Sequence, residues 1–187
     1  MAVPEYTVIT GTDHPDFAAA TVKLTGAAWP EFMLHDPLAE YFNSLYRHLP
    51  QFQFALVQKG SDTWMAMGNS IPLAWDGRPA DLPDTGWDWA MEKGIKDFET
   101  ARRPTVLCAL QVVVASDFKG KGVSFQAVRT MTSIGKAHGL GAMIAPVRPS
   151  MKSRYPLTPM ERFISWKNDD GLPFDSWMRV HARLGAD

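Results

Sequence analysis

The sequence predicts an α/β (α+β) fold, one domain over residues 1–187, with elements in the order β-α-α-β-β-α-β-α-β-α. Three observations carry this. First, Val106 to Ala115 is an almost unbroken apolar run with three consecutive valines, which suits a strand covered on both faces. Second, Lys119-Gly120-Lys121-Gly122 makes a turn, and Ser124 to His138 follows as a helix. Val123, Ala127, Met131, Ile134 and Ala137 or His138 give that helix one apolar face, and Gly139 stops it. Third, strand-like and helix-like stretches punctuated by turn residues fill the rest of the chain.

In chain order, Tyr6 to Thr10 alternates weakly and reads as a strand, and Gly11-Thr12-Asp13 turns. A helix starting near Pro15 carries Phe17, Ala20, Val22, Leu24 and Ala28, and Pro30 ends or kinks it. A second helix, capped by Asp36, runs from about Pro37 to Leu49 with Leu38, Tyr41, Phe42, Leu45 and Leu49 as its stripe. Phe52 to Lys59 and Trp64 to Pro72 form a strand pair about the turn Gly60-Ser61-Asp62. Ala74 to Thr85, with Gly77, Pro79 and Pro83, is an irregular loop before a helix from Trp87 to Arg102. After the central unit come a short strand, Ala142 to Val147, and a Pro-rich basic stretch, Ser150 to Pro159. A short helix at Pro159 to Trp166, a turn at Asp169-Asp170-Gly171, and a last helix, Ser176 to Leu184, capped by Asp175, complete the chain.

Composition narrows the function classes. At 187 residues the chain has ample length for a core. Nineteen basic against twenty acidic residues leave a net charge of −1, which argues against a general nucleic-acid binder. No apolar run approaches a membrane span, and the first residues show no charged-then-apolar leader, so no membrane partner and a cytoplasmic location are expected. The lone Cys108 sits inside the apolar strand as a core residue and allows no disulfide within one chain. The five histidines show no HExxH spacing and there is no GxSxG elbow, so neither a zinc site nor a serine hydrolase is expected.

A strand that feeds a helix through a Gly-rich turn is an anion site: unpaired N–H groups and a partial positive charge meet where glycines let a ligand come close. The P-loop spacing GxxxxGK[ST] is absent. The dinucleotide fingerprint fails because Phe125 takes the third glycine position, and no acid lies in the segment from Gly139 to Pro149. The stretch Val112 to Ser124 (VVVASDFKGKGVS) instead resembles the acetyl-CoA motif of the GNAT superfamily of N-acetyltransferases: a strand, then [QR]xxGx[GA], then a helix. Gly122 matches; Lys119 replaces the usual Gln or Arg, and Ser124 the usual Gly or Ala. The element order also resembles that of a GNAT domain over nearly the whole chain.

The resemblance implies a mixed, mostly antiparallel central sheet flanked by helices, with acetyl-CoA as the acyl donor. The backbone of Val112 and Val114, with Val113 between them, would line the pantetheine arm. Gly120, Lys121, Gly122, Val123 and Ser124 would hold the pyrophosphate, with charge from Lys119 and Lys121 acting as point charges. It implies acetyl transfer to an amine of a small molecule or peptide by direct attack, with Val114 N–H as the donor to the oxyanion. GNAT domains usually continue past the last helix with one or two strands. This chain ends at Asp187, so a sheet lacking them is expected, and a homodimer through the free edge is among the expectations.

The catalytic groups are less determined. The central strand offers Gln111, which cannot act as a base. Glu31, His35 and Asp36, between the first two helices, are candidate bases, with Trp29, Phe32 and Met33 beside them to shape an acceptor pocket. Tyr155 is the candidate acid for the leaving thiolate, and the basic residues of Arg148 to Arg154 could meet a 3′-phosphate or an anionic acceptor. The competing readings are a catalytically silent acyl-CoA-binding sensor or scaffold, and a nucleotide-binding α/β domain.

Overall fold

The structure, a computed structural model, describes residues 3–29, 31 and 35–186. The expectations placed on Pro30, Phe32 and Met33 fall outside these residues. Its elements are β1 (Tyr6–Thr10), α1 (Phe17–Ala28), α2 (Tyr41–His48), β2 (Gln53–Gln58), β3 (Trp64–Leu73), α3 (Trp87–Glu99), β4 (Val106–Val114), α4 (Val123–Ala137), β5 (Ala142–Ile144), α5 (Met160–Ile164) and α6 (Ser176–Arg183). The chain divides into two compact units, Met1–Pro146 and Val147–Asp187.

The first unit is a five-stranded sheet in the order β1-β2-β3-β4-β5. β1 through β4 pair antiparallel, and β4 pairs β5 in parallel. This is the mixed, mostly antiparallel sheet flanked by helices that the resemblance implies. Its two faces can be told apart from the glycines that let helices approach. Ile71 of β3 lies opposite Cys108, one residue from Leu107, so Ile71 and Leu107 point to opposite faces. Gly94 of α3 sits against Ile71, and Gly135 of α4 against Leu107. Hence α3 covers one face and α4 the other, with α2 packed against both α1 and α3. The core between them holds Phe54, Leu56, Met65, Ile71, Leu73, Met91, Leu107 and Met131, all fully buried.

Several expectations shift in detail, each for a physical reason. The helix expected from Pro37 opens as a 3₁₀ turn, Pro37–Glu40, capped by the Asp36 carboxylate accepting from Leu38 N–H at 2.9 Å. The helix expected to reach Arg102 stops at Glu99, because Ala101 takes a positive φ of 51°. The buried face of α4 runs Val123, Ala127, Val128, Met131, Gly135; it turns away from Ala137 and His138, which are exposed. The fifth strand ends at Ile144 and not Val147, since Pro146 has no N–H to continue a ladder.

The second unit is organised by two features. Tyr155, Phe163, Trp166 and Phe174 pack as an aromatic cluster with ring centroids 4.9 to 6.3 Å apart. The buried Asp175 carboxylate caps α6 through Trp177 and Met178 N–H and also accepts from Met151 N–H at 2.7 Å, tying the Pro-rich stretch to the helix.

Candidate functional site

The turn before α4 has the conformation an anion cradle needs. Gly120 and Gly122 both sit at φ 74°, where a side chain is strained. Gly122 is also short of space: an added Cβ would stand 3.1 Å from Val3 Cγ2. The backbone N–H groups of Gly120 to Phe125 find no acceptor among the described residues; the first paired amide of the helix is Gln126, on Gly122 O. Among the described residues no side chain caps this end by a hydrogen bond, and no acid lies in the first turn, so the positive end of a fifteen-residue helix is left without a counter-charge there. Phe118, 9% exposed, anchors the turn from below, and Lys121 Nζ lies 5.4 Å from its ring centroid. Lys119 is exposed.

The strand leading to this turn is half unpaired. β4 pairs with β5 only at Val106, Leu107 and Cys108. Ala115 N–H donates to Met65 O on β3, so by alternation Val113 and Gln111 turn their backbone groups to β3. Val112 and Val114 turn theirs to the opposite edge, where no strand follows among the described residues. Burial agrees: the run expected to be covered on both faces is closed over its first three residues and half-buried at Ala109, Gln111, Val112 and Val114. The pairing with β3 shifts register at Leu110, a bulge that steps β4 aside where it leaves β5. There, Trp87 Nε1 donates to the Leu110 carbonyl at 3.0 Å.

A second feature of β4 is visible only in three dimensions. Gln53, Asn69 and Gln111 stand in register on three adjacent strands. Gln53 Nε2 donates to two backbone carbonyls, Leu49 O at 2.9 Å and Ser70 O at 3.0 Å. Its Oε1 accepts from Asn69 Nδ2 at 2.9 Å; Asn69 Oδ1 accepts from Gln111 Nε2 at 2.7 Å; Gln111 Oε1 accepts from Trp29 Nε1 at 2.7 Å. Carbonyls only accept and an indole N–H only donates, so both ends of the chain fix every amide in one orientation. Tyr46 OH reaches Asn69 Oδ1 at 3.5 Å, and burial pushes its pKa up despite hydrogen bonds to Thr21 and Asn69. No sequence motif marks this row, because residues 16 and 42 positions apart meet only through strand register.

The expected catalytic side chains have different surroundings. Glu31 and His35 pair at 3.1 Å with both side chains exposed, 83% and 75%. Asp36 is spent as the cap of the 3₁₀ turn. Tyr155 belongs to the aromatic cluster of the second unit, and its hydroxyl has no hydrogen-bond partner among the described residues. Cys108 is fully buried, and desolvation pushes its thiol up to about 12, so the only ionisable group on β4 is inert. Among the described residues no three His, Cys, Asp or Glu gather to hold a metal, and no helix is long and apolar enough to cross a membrane.

No family model matches the chain. It is 28% identical, over 201 residues, to the arginine N-acetyltransferase avaD of Aspergillus versicolor, an alignment covering 98% of this chain and 69% of that protein. Among solved structures it is similar to the loading GNATL domain of CurA from Lyngbya majuscula, with TM-score 0.73 and 20% identity over 98% of this chain and 85% of that one. It is also similar to the GphF GNAT-like decarboxylase in complex with isobutyryl-CoA, with TM-score 0.70 and 14% identity over 97% of this chain and 86% of that one. The fold is therefore the GNAT fold.

Proposed function

We propose that the protein is an acetyl-CoA-dependent N-acetyltransferase that moves an acetyl group to an amine of a small molecule or peptide by direct attack. One observation carries the reading: the unpaired amides of Gly120 to Phe125 run directly into the unpaired edge of β4 at Val112 and Val114. An anion cradle continuous with a free strand edge suits a pyrophosphate joined to an extended, amide-bearing arm. The likenesses to an arginine N-acetyltransferase and to a fold seen with an acyl-CoA support the same donor.

In this reading Gly120, Lys121, Gly122, Val123 and Ser124 offer backbone N–H groups to the pyrophosphate, Lys119 and Lys121 add charge, and Val112 and Val114 bond the pantetheine amides. The amine nitrogen attacks the thioester carbon, the C–S bond breaks, and a proton passes from the amine to a base. Glu31, paired with His35, is the proposed base and Tyr155 the proposed donor to the leaving thiolate. The absence of a carboxylate from β4 favours, as a second reading, a protein that binds acyl-CoA without transferring the acyl group. Thiol release from acetyl-CoA, followed with a panel of amines that starts from L-arginine, separates the two. Amine-dependent thiol release with N-acetylated product by mass supports the enzyme. Acetyl-CoA binding with no amine-dependent release supports the silent binder.

A further inference from the structure

The amide row and the two tryptophans beside it lie outside the proposed donor contacts. Gln53 and Asn69 are fully buried, while Gln111, at the end of the row, is half-buried. Burying oriented amides costs desolvation that an apolar core avoids, so the row's product is its exposed end: a carboxamide held in one orientation. One Nε2 hydrogen and one Oε1 lone pair of Gln111 are left after its bonds to Asn69 and Trp29. Trp29 and Trp87 anchor by their indole N–H groups to consecutive strand residues, Gln111 and Leu110, and flank Phe42 with centroids 5.5 and 6.1 Å from it. Both indoles are half-buried, with their N–H groups already used.

Position gives this group its meaning. It sits at the bulge where β4 has just left β5. From Val114 to Leu110 the strand rises about 14 Å, a length comparable to an extended pantetheine arm. An arm that starts at the turn and follows Val114 and Val112 therefore ends beside Gln111.

Resting on the acyl-CoA reading, we propose that Gln111, Trp29 and Trp87 form the acceptor subsite. The Gln111 carboxamide hydrogen-bonds the acceptor, and the indole faces take the portion adjoining its amine, an apolar or aromatic group or a delocalised cation such as guanidinium. Asn69 and Gln53 are positioning residues that fix which atoms of Gln111 are offered.

The test uses CoA derivatives, so that binding is read without turnover. S-carboxamidomethyl-CoA carries the acyl part alone. Adducts in which that carboxamide nitrogen belongs to L-arginine, phenethylamine or ethanolamine add an acceptor. On the full chain, calorimetry is expected to show the arginine or phenethylamine adduct binding at least tenfold tighter than S-carboxamidomethyl-CoA, and the ethanolamine adduct showing a smaller gain. In Gln111→Leu most of that gain is lost while S-carboxamidomethyl-CoA binding changes less than threefold, and Asn69→Val shows the same split. Trp87→Leu carries the same test if Gln111→Leu does not fold. No gain from any adduct, or a loss in the variants shared equally by S-carboxamidomethyl-CoA, overturns the subsite. Failure of every CoA derivative to bind the parent protein overturns the acyl-CoA reading, and the subsite with it.

Discussion

Gly122 is the residue on which the proposed donor site turns, and the run Lys119-Gly120-Lys121-Gly122 ahead of a helix marks the turn in the sequence alone. Its φ of 74° costs a side-chain-bearing residue about 1–2 kcal/mol, and Val3 leaves an added Cβ little room. Gly122→Ala is expected to lower stability by about that amount in urea unfolding. Cys108 is legible as core from its apolar neighbours; with its thiol raised to about 12, iodoacetamide should leave the native protein unmodified at pH 8 and label it fully once unfolded. His181 is 8% exposed with Nε2 unpaired, and burial lowers its pKa below 6.5. The unfolded chain therefore binds a proton there more readily than the folded one, and stability is expected to fall as pH drops below about 6.5. His181→Phe should flatten that acid limb of urea midpoint against pH. Gln111 is legible in the sequence only as a residue unfit to be a base; its bonds to Asn69 and Trp29 depend on pairings that no local pattern encodes.

At the scale of elements, the order of strands and helices along the chain and the strand–turn–helix unit are readable because each depends on local periodicity and turn chemistry. The valine run predicts a strand but cannot show that its two halves differ. β4 loses its partner because β5 is only three residues long, and the bulge at Leu110 exists only as a register shift against β3. Pro146 is the one cause visible in the sequence, and its effect reaches further back than its position suggests. The helix α3 is tied to the sheet by the buried Asp97, whose carboxylate accepts from Ala74 N–H at 2.8 Å and from Lys93 Nζ at 2.9 Å. Asp97→Ala leaves both donors unpaired and is expected to cost about 3 kcal/mol, measured by chemical unfolding; Lys93→Met should cost less, because Ala74 keeps its acceptor.

For the whole molecule, the proposed donor site rests on backbone N–H groups of the turn and on the free edge of β4, with charge added by Lys119 and Lys121. The cradle and the free edge both lie in the first unit, Met1–Pro146, while the proposed acid, Tyr155, belongs to the second. In the proposed reading, donor binding rests on residues of the first unit alone. Calorimetric titration of acetyl-CoA, with ATP as control, tests this most directly on the parent protein, on Gly122→Glu and on Gly60→Glu. Gly60 has a similar φ of 79° and open space around it, so it carries the same backbone strain away from the turn. The prediction is micromolar acetyl-CoA binding, about −8 kcal/mol, by the parent and by Gly60→Glu, weakened at least a hundredfold in Gly122→Glu, with ATP bound far more weakly throughout. Absence of acetyl-CoA binding by the parent, or equal binding by Gly122→Glu, would contradict it.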